Sequence, residues 1–463
     1  MSCRTVSLLC IGLVVFGIAS VYAEVSFPAL PQQETPSEQY KVFINGKEVP
    51  VWTAFCDKPD LGSRYSFISF DMSEPVDIRI QAVEPFEKVM IRPDDYGIKA
   101  RVEAKTIDFR LDQPRKISIE PYGMKNVLLL FANQPETDIP DPNDKHILYF
   151  GPGIHRVAQD ALRLNSGQTL YLAAGAVLKA AVYAEDAENV TIRGRGMIDG
   201  SDWPWLKGPR GHLVGLYRCK HVRVDGVLLR GSYGWTLVPI QCQDVVISNI
   251  KIVNDRVQND DGINPCNSRQ VVVRDCFIRT DDDCMSIKGL GETRREPSED
   301  IVIENMVFWC SRARIILFAH ESQAEAMRRI RISDSRIIHY TMTPFLLEPG
   351  EEMPLTDVTI ENIHINASGK GEIARLRPTV NQYMSIKKPG TIENIQFKNI
   401  DITTDDPASV FFHLEGADAE HAVRQVVFEA TRINGKPVED RASLLRIGPF
   451  VFGVSMDGKP VGP

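Results

Sequence analysis

The last two thirds of the chain repeat one short pattern, a polar residue followed by alternating aliphatic residues. Examples are Asn189-Val190-Thr191-Ile192, Asp244-Val245-Val246-Ile247 and Asp357-Val358-Thr359-Ile360, and successive copies begin 23 to 37 residues apart. Alternation at every second position predicts strands rather than helices, and repeats of this length are typical of solenoids and propellers. A propeller blade needs four strands, more than these repeats hold. The pattern therefore predicts a right-handed parallel β-helix whose inward aliphatic side chains stack from coil to coil.

The segment before the repeats differs in pattern. From about Gln39 to Leu130 the chain forms short alternating segments, and Asn45-Gly46 is a hairpin turn signal. We therefore expect an all-β chain in which a small β-sandwich, residues 24–132, precedes the β-helix, residues 147–463. Residues 133–146 are rich in Pro and Asp and are predicted to be a linker.

Residues 1–23 have the features of a signal peptide. Arg4 precedes an almost unbroken apolar stretch from Val6 to Ala19, and Ala23 offers a small residue at the expected cleavage point. Cleavage there predicts a secreted or periplasmic protein with no membrane span in the mature chain. A retained N-terminal anchor is the alternative.

Composition narrows the range of partners. The net charge is -8 and no run of Lys or Arg suggests binding to nucleic acid. Seven cysteines follow the predicted signal peptide, none in a CxxC pair, so no metal site is predicted. Buried free thiols are the favoured interpretation, and one disulfide is the alternative.

Two aspartate-rich turns lie one repeat apart, Asn259-Asp260-Asp261-Gly262 and Asp281-Asp282-Asp283-Cys284. In stacked coils, a residue lies about 4.8 Å from its counterpart one coil later. Carboxylates distant in sequence would then share one surface patch and raise each other's pKa. This arrangement suits an acid/base hydrolase. Solvated turn residues or a calcium site are the alternatives.

These turns resemble the Asn-x-Asp-Gly and Asp-Asp-Cys elements of the polygalacturonases, glycoside hydrolase family 28. The resemblance implies a pectin-lyase-like β-helix, a polysaccharide or oligosaccharide substrate, an inverting mechanism and no cofactor. Asp282 would be the general acid, while Asp261 and Asp283 would hold and deprotonate the attacking water. The predicted substrate-binding residues are Asn259, Lys288, Arg312, Arg314 and His320. For Arg312 and Arg314, simple neutralisation of the aspartates is the alternative.

The sequence departs from that family at two places. The family's Gly-His-Gly element aligns with Arg312-Ala313-Arg314, and its uronate-gripping Arg-x-Lys element falls near Phe345-Leu346-Leu347-Glu348. The departures predict a neutral or differently substituted glycan rather than polygalacturonate. A sandwich ahead of a β-helix with an Asp-Asp-Asp turn is also similar to the dextranase and isopullulanase family, which hydrolyses neutral α-glucans.

Two other classes remain open from the sequence. A β-helix polysaccharide lyase would use acidic residues to hold calcium, and a non-catalytic β-helix would only bind carbohydrate. Trp203, Trp205 and Trp235 are candidates for stacking on sugar rings, with a core role expected for at least one of them.

Overall fold

The computed structural model describes residues 25–291, 295–318 and 320–461, so the predicted signal peptide lies outside the described residues. The described chain is built almost wholly of strands. It has one four-residue helix, α1 (Arg441–Leu444), and three 3-10 turns, Pro59–Leu61, Asp94–Tyr96 and Pro407–Ser409. No helix in these described parts is long and apolar enough to cross a membrane.

The N-terminal strands form the predicted sandwich. One sheet has the order β1-β5-β11-β10-β7 with β4 on β5, and the other has the order β3-β2-β6-β9-β8, where the strands are β1 (Val25–Ser26), β2 (Tyr40–Ile44), β3 (Lys47–Val49), β4 (Trp52–Phe55), β5 (Arg64–Met72), β6 (Val76–Ala82), β7 (Met90–Arg92), β8 (Arg101–Glu103), β9 (Thr106–Leu111), β10 (Lys116–Met124) and β11 (Leu128–Asn133). Strand β6 shows why they pack: Val76, Ile78 and Ile80 are buried, whereas Asp77 and Arg79 face solvent. The predicted limits of the two domains remain predictions.

The remaining strands form the right-handed parallel β-helix that the repeats predicted. They are β12 (Ile147–Phe150), β13 (Gly153–Leu164), β14 (Thr169–Leu172), β15 (Ala176–Glu185), β16 (Glu188–Gly194), β17 (Met197–Asp199), β18 (Val214–Tyr217), β19 (Lys220–Asp225), β20 (Leu228–Arg230), β21 (Leu237–Ile240), β22 (Gln243–Ser248), β23 (Lys251–Val253), β24 (Arg269–Arg274), β25 (Phe277–Thr280), β26 (Met285–Ile287), β27 (Ser298–Glu304), β28 (Val307–Cys310), β29 (Ile316–Phe318), β30 (Met327–His339), β31 (Phe345–Leu347), β32 (Pro354–Asn366), β33 (Glu372–Leu376), β34 (Thr391–Thr403), β35 (Phe411–Leu414), β36 (Val423–Glu429), β37 (Arg432–Ile433), β38 (Lys436–Pro437), β39 (Leu445–Ile447), β40 (Val451–Met456) and β41 (Lys459–Pro460).

Inward aliphatic ladders hold the coils together. Val245 aligns with Val271 and then with Ile301, in parallel register, and each of these side chains is fully buried. Burying one such side chain stabilises the fold by roughly 1.5–3 kcal/mol. The alternation read from the sequence therefore corresponds to this ladder.

The polar residue that opens each repeat lies near the start of its strand, where it interrupts the ladder of paired residues. Its φ lies between 52° and 58° in all eight copies, a left-handed conformation that Asn and Asp tolerate better than most residues. The eight positions are Asn189, His221, Asp244, Gln270, Asp300, Arg329, Asp357 and Asn394.

The sandwich packs against one side of the β-helix through a mixed apolar and charged junction. Trp52, Phe67 and Phe131 of the sandwich belong to one buried cluster with Phe277 and Trp309 of the β-helix. All seven cysteines in the described residues are buried and free, as favoured from the sequence.

Candidate active site

All eight predicted site residues line one cleft of about 460 Å³ on the β-helix. The cleft lies across the short sheet β26-β29-β31-β33-β35-β39, at the turns that precede β26 and β29. The eight residues are Asn259, Asp261, Asp282, Asp283, Lys288, Arg312, Arg314 and His320. Side chains from three successive coils therefore meet at one surface.

The register of the coils decides which aspartates are neighbours. Ile263 pairs in parallel with Met285, so Asp261 lies beside Asp283 rather than beside Asp282. Asp261 and Asp282 are 21 residues apart in the sequence, one residue short of this coil, which spans 22 residues from Ile263 to Met285. Asp283 is in turn followed by Arg314 on the next coil, because Met285 pairs with Ile316.

Asp261 and Asp283 are the two buried carboxylates of the cleft. Asp261 Oδ2 accepts a hydrogen bond from Asn264 at 2.8 Å, and Asp283 Oδ2 accepts one from Ser286 Oγ at 2.9 Å. The same Ser286 Oγ lies 3.4 Å from Asp261 Oδ2, so one hydroxyl joins the pair. Burial, reinforced by the charges of Asp282 and Asp283, raises the pKa of Asp261 to about 7, although Lys288 opposes the shift.

Asp283 has a stronger cationic partner than Asp261. Burial raises its pKa, while the guanidinium of Arg314, whose Nη2 lies 2.9 Å from Asp283 Oδ2, opposes that rise. The backbone N–H of Arg314 also donates to Asp283 Oδ1 at 3.0 Å. Asp283 is thus held in place from two sides by the following coil.

Asp282 is the most accessible of the three aspartates. Its side chain keeps 14% of its accessible surface, against 2% for Asp283. Arg312 Nη2 lies 3.1 Å from Asp282 Oδ2, and Asn259 Nδ2 donates to the same oxygen at 3.4 Å. A carboxyl group in this position can reach a bound molecule, whereas its two neighbours lie deeper.

The other cationic candidates are paired with acids. Lys288 Nζ lies 2.6 Å from Glu321 and 4.5 Å from the ring centre of Trp235. Burial lowers the pKa of Lys288, but the carboxylates of Asp261 and Glu321 outweigh it and raise that pKa to about 12. His320 Nε2 lies 3.1 Å from Glu348 Oε2, which fixes the orientation of the ring.

Asp260 is a residue of the first turn whose contacts the sequence motifs did not indicate. It is fully buried, and its carboxylate accepts the backbone N–H groups of Asp281 at 2.8 Å, Asp282 at 3.1 Å and Asp255 at 2.7 Å. It therefore shapes the turn that presents Asp282. Its place inside the first aspartate turn was the only sequence signal.

The aromatic candidates separate into different roles. Trp205 and Trp235 line the cleft, but Trp203 packs edge-on against Tyr233 at the surface of the core and does not. Tyr383, which no sequence pattern indicated, also lines the cleft and is 63% exposed. It lies on the irregular segment between β33 and β34, where no repeat marks it.

One group of possible metal ligands lies away from the cleft. Within the described ranges, Asp94, Asp95 and His364 bring three ligand atoms within 4.8 Å of one another at the junction of sandwich and β-helix. His364 Nε2 is 3.0 Å from Asp94 Oδ1, so an ion pair accounts for that contact. The prediction that the cleft uses no metal stays a prediction.

Comparison with known proteins bears on the segment that carries the aspartate turns. The model of glycosyl hydrolases family 28 matches residues 165–311, less than half of the chain. A probable polygalacturonase of Vitis vinifera is 27% identical over 139 residues, which is 27% of this chain and 28% of that one. A probable polygalacturonase of Arabidopsis thaliana is 34% identical over 107 residues, which is 22% of this chain and 24% of that one. The chain therefore spans about a quarter of the length of these relatives.

A solved structure resembles nearly the whole chain. Dex49A from Penicillium minioluteum superposes with a TM-score of 0.65 at 16% identity, covering 93% of this chain and 96% of that one. That likeness shows the fold, a right-handed parallel β-helix preceded by a sandwich. The likeness of the chain to polygalacturonases and to glycosyl hydrolases family 28 comes from the matched segment, so the chain is polygalacturonase-like over that segment. The resemblance and the fold class predicted from the motifs are thus confirmed.

Proposed function

We propose that the chain is an exported glycoside hydrolase that cleaves a polysaccharide with inversion at the anomeric carbon. Asp282 is the general acid that protonates the leaving oxygen, and Asp261 and Asp283 hold and deprotonate the attacking water. The observation that carries the proposal is the convergence of these three carboxylates on one cleft, two of them with raised pKa values. Clustered acids with raised pKa values are the groups that acid/base catalysis needs near neutral pH.

The two deep carboxylates are suited to a water molecule. Both contact Ser286 Oγ, so their oxygens face the same small volume of the cleft. A water there can donate one proton to each carboxylate while its lone pair points toward the sugar. Asp282 lies above them and is the more exposed group, as required of an acid that meets the departing oxygen. An inverting pair stands roughly 6.5–9.5 Å apart to leave room for that water.

The charges of the cleft favour a neutral glycan. Its walls carry four carboxylates against the three cations Lys288, Arg312 and Arg314. Among the described residues, each of those cations lies within 3.1 Å of a carboxylate, so none is left to bind a uronate. A like-charge contact near a protein surface costs about 4 kcal/mol at ~4 Å. Polygalacturonate, with one carboxylate on every ring, would meet that cost.

The replaced family elements support the same substrate class. Ala313 occupies the coil position expected for the family's histidine, next to the position of Asp282 on the preceding coil. Glu348 ends the stretch where the family's uronate-gripping element is expected, and it accepts hydrogen bonds from His320 and from Arg377 at 2.9 Å. An acid at this place repels a uronate and orients an imidazole instead.

The paired acids argue against a calcium-dependent lyase. In the cleft, Asp282 and Asp283 are each held by a guanidinium, and a calcium ion would have to displace Arg312 and Arg314 to share them. A lyase would also form an unsaturated product that absorbs in the ultraviolet. Activity that survives chelator without such absorbance would separate the hydrolase from the lyase.

The test is a substrate screen with an inactive variant as control. Purified protein and its Asp282→Asn variant are incubated with neutral polysaccharides and with polygalacturonate, and new reducing ends are measured. We expect the wild type to release reducing ends from a neutral glycan and the variant to release none. Release by both proteins would indicate a contaminant, and no release from any glycan by the wild type would contradict the proposal.

The stereochemistry of the first product tests the proposed roles separately. Proton NMR of the earliest product should show inverted anomeric configuration, because water attacks opposite the leaving group. A retained anomer would make Asp261 or Asp283 a nucleophile. Export is tested by sequencing the N-terminus of the protein recovered outside the cytoplasm, which we expect to begin near Glu24.

A further inference from the structure

Three residues of the sandwich contact the β-helix beside the two aspartate turns that carry the proposed catalytic groups. The backbone N–H of Asp57 donates to the carbonyl of Asp255 at 2.7 Å, and the hydroxyl of Tyr65 donates to the carbonyl of Asn254 at 2.6 Å. Between these two contacts, Lys58 Nζ lies 2.6 Å from Asp281 Oδ1. The sandwich therefore contacts the segments of the β-helix that carry the aspartate turns.

Lys58 contacts a carboxylate that adjoins the proposed general acid. Asp281 is 1% exposed and lies between two cations, Lys58 and Arg312, whose Nε is 2.6 Å away. Arg312 also contacts Asp282, so one guanidinium is shared by the two consecutive aspartates. Burial lowers the pKa of Lys58, but the hydrogen bond to Asp281 outweighs it, so that pKa is raised and the ammonium stays charged.

We propose that Lys58 is a positioning residue for the proposed general acid, so that the sandwich forms part of the catalytic unit. This inference rests on the proposed function. Lys58 gives Asp281 a second cation, so that Arg312, although it also contacts Asp281, can hold Asp282 at the cleft surface. Lys58 and Asp282 lie in different domains and far apart in the sequence, so no local motif could reveal this link.

Removal of the Lys58 ammonium should weaken the contact between Arg312 and Asp282. Without the ammonium, buried Asp281 keeps Arg312 as its one remaining cation among the described residues, and Arg312 shifts toward it and away from Asp282. Asp282 then loses the guanidinium that holds it at the cleft surface, and the misplaced carboxyl group lowers kcat.

The experiment compares Lys58→Met with Lys58→Arg and with a control at the same junction. We expect Lys58→Met to lower kcat about tenfold, with KM changed less than about twofold, because the residue does not touch substrate. Lys58→Arg should restore most of the rate. Asp95→Asn removes a different ion pair between sandwich and β-helix, 3.0 Å from Arg336, and should leave kcat unchanged.

A second measurement keeps the inference separate from the proposed function. Unfolding midpoints of Lys58→Met, Asp281→Asn and the double variant should be non-additive, since the two side chains are in direct contact. Additive shifts would overturn the contact. An unchanged kcat in Lys58→Met, or the same loss of kcat in Asp95→Asn, would overturn the positioning role. A wild type that cleaves no glycan would contradict the proposed function, while the coupling would still decide whether Lys58 holds the turn.

Discussion

The cleft has two walls of different character. The first wall, Asn259, Asp261, Asp282, Asp283 and Lys288, lies inside the segment that matches glycosyl hydrolases family 28. The second wall, Arg312, Arg314, His320 and Tyr383, begins immediately after that segment ends at residue 311. In the first wall acids are buried against amides and a hydroxyl, and in the second wall cations and an imidazole are engaged by acids.

Under the proposed function, the reacting groups lie in the first wall and groups that contact the rest of the substrate lie in the second. A β-helix places consecutive coils side by side, so the coils that carry the reacting groups and the coils that contact the rest of the substrate can change independently. The first wall carries the proposed catalytic groups, and the second includes Ala313, where the sequence is predicted to depart from the family's histidine element. Variants of the two walls should therefore have different kinetic signatures.

The largest effect is expected from the first wall. Asp282→Asn should lower kcat by about 100-fold or more on any substrate, because general acid catalysis contributes at least that much and an amide cannot donate the required proton. The unfolding midpoint should stay close to that of the wild type, since Asp282 is the most exposed of the three aspartates. A variant that kept more than about a tenth of the rate would exclude Asp282 as the general acid.

Asp261→Asn should lose activity and gain stability. The folded protein raises the pKa of Asp261 from 3.8 to about 7, so it binds more protons than the unfolded chain between these values. Stability therefore falls as pH rises through that window, and the uncharged amide removes the loss. The amide also disturbs the hydrogen bond with Asn264, which offsets part of the gain. We expect a net gain of about 2 kcal/mol at pH 7 that disappears below about pH 4, measured by denaturant unfolding at both pH values.

A matched control for this pH effect lies on the outer side of the coils. Hydrogen bonds from His221 and Arg223 lower the pKa of Asp244, the opposite direction from Asp261. Asp244→Asn should therefore give no gain at pH 7. A less stable Asp261→Asn at pH 7 would contradict the charge penalty assigned to the first wall.

The sequence predicted the first wall better than the second for a physical reason. Alternation at every second position locates the strands. Asp261 and Asp282 lie in equivalent turns between strands of successive coils, so their carboxylates come close together whatever the exact register. The register itself depends on a single residue in the coil length. The pairing of Ile263 with Met285, which sets Asp261 beside Asp283, could not be read from the motif spacing.

No local sequence pattern predicts the contacts of the second wall. Glu348 meets Arg377 because these residues lie on adjacent coils, and repeats of unequal length hide that alignment. Lys58 reaches Asp281 across the junction of the sandwich and the β-helix, which depends on how the two pack. Tyr383 lies in a segment outside the repeat pattern.

Glu348→Gln tests whether the acid that pairs with His320 of the second wall excludes uronates. Glu348 is 5% exposed and lies 3.1 Å from His320, 2.9 Å from Arg377 and 3.5 Å from Arg375. The amide keeps the shape but removes the charge and loosens Arg377. Inhibition of neutral-glycan cleavage by polygalacturonate should strengthen about tenfold, equivalent to about 1.4 kcal/mol.

The control for that charge effect is Glu352→Gln, an exposed acid that pairs with Lys388. It should leave the inhibition constant of polygalacturonate unchanged. Equal inhibition of wild type and Glu348→Gln would mean that Glu348 does not face the substrate, and the weak binding of uronates would then need another cause.

The exposed ring of Tyr383 lies at the end of the second wall, just before residues whose backbone is hydrogen-bonded to Glu351. Glu351 accepts the backbone N–H groups of Ser385 at 3.0 Å and Ile386 at 3.4 Å, and Met384 is buried. Glu351 therefore holds the backbone that follows Tyr383. An exposed ring in a cleft suits stacking on a sugar face.

The smallest effect is expected from this ring, which is nearly parallel to that of His320, with centroids 6.4 Å apart. Aromatic contacts of this kind are worth about 0.5–1.5 kcal/mol, so Tyr383→Ala should raise KM about 3- to 10-fold with little change in kcat. Tyr383→Phe should behave as wild type, and Phe450→Ala on the last coil, also an exposed ring, should change neither constant. A fall in kcat with unchanged KM in Tyr383→Ala would assign the ring to the chemical step and remove the distinction between the two walls.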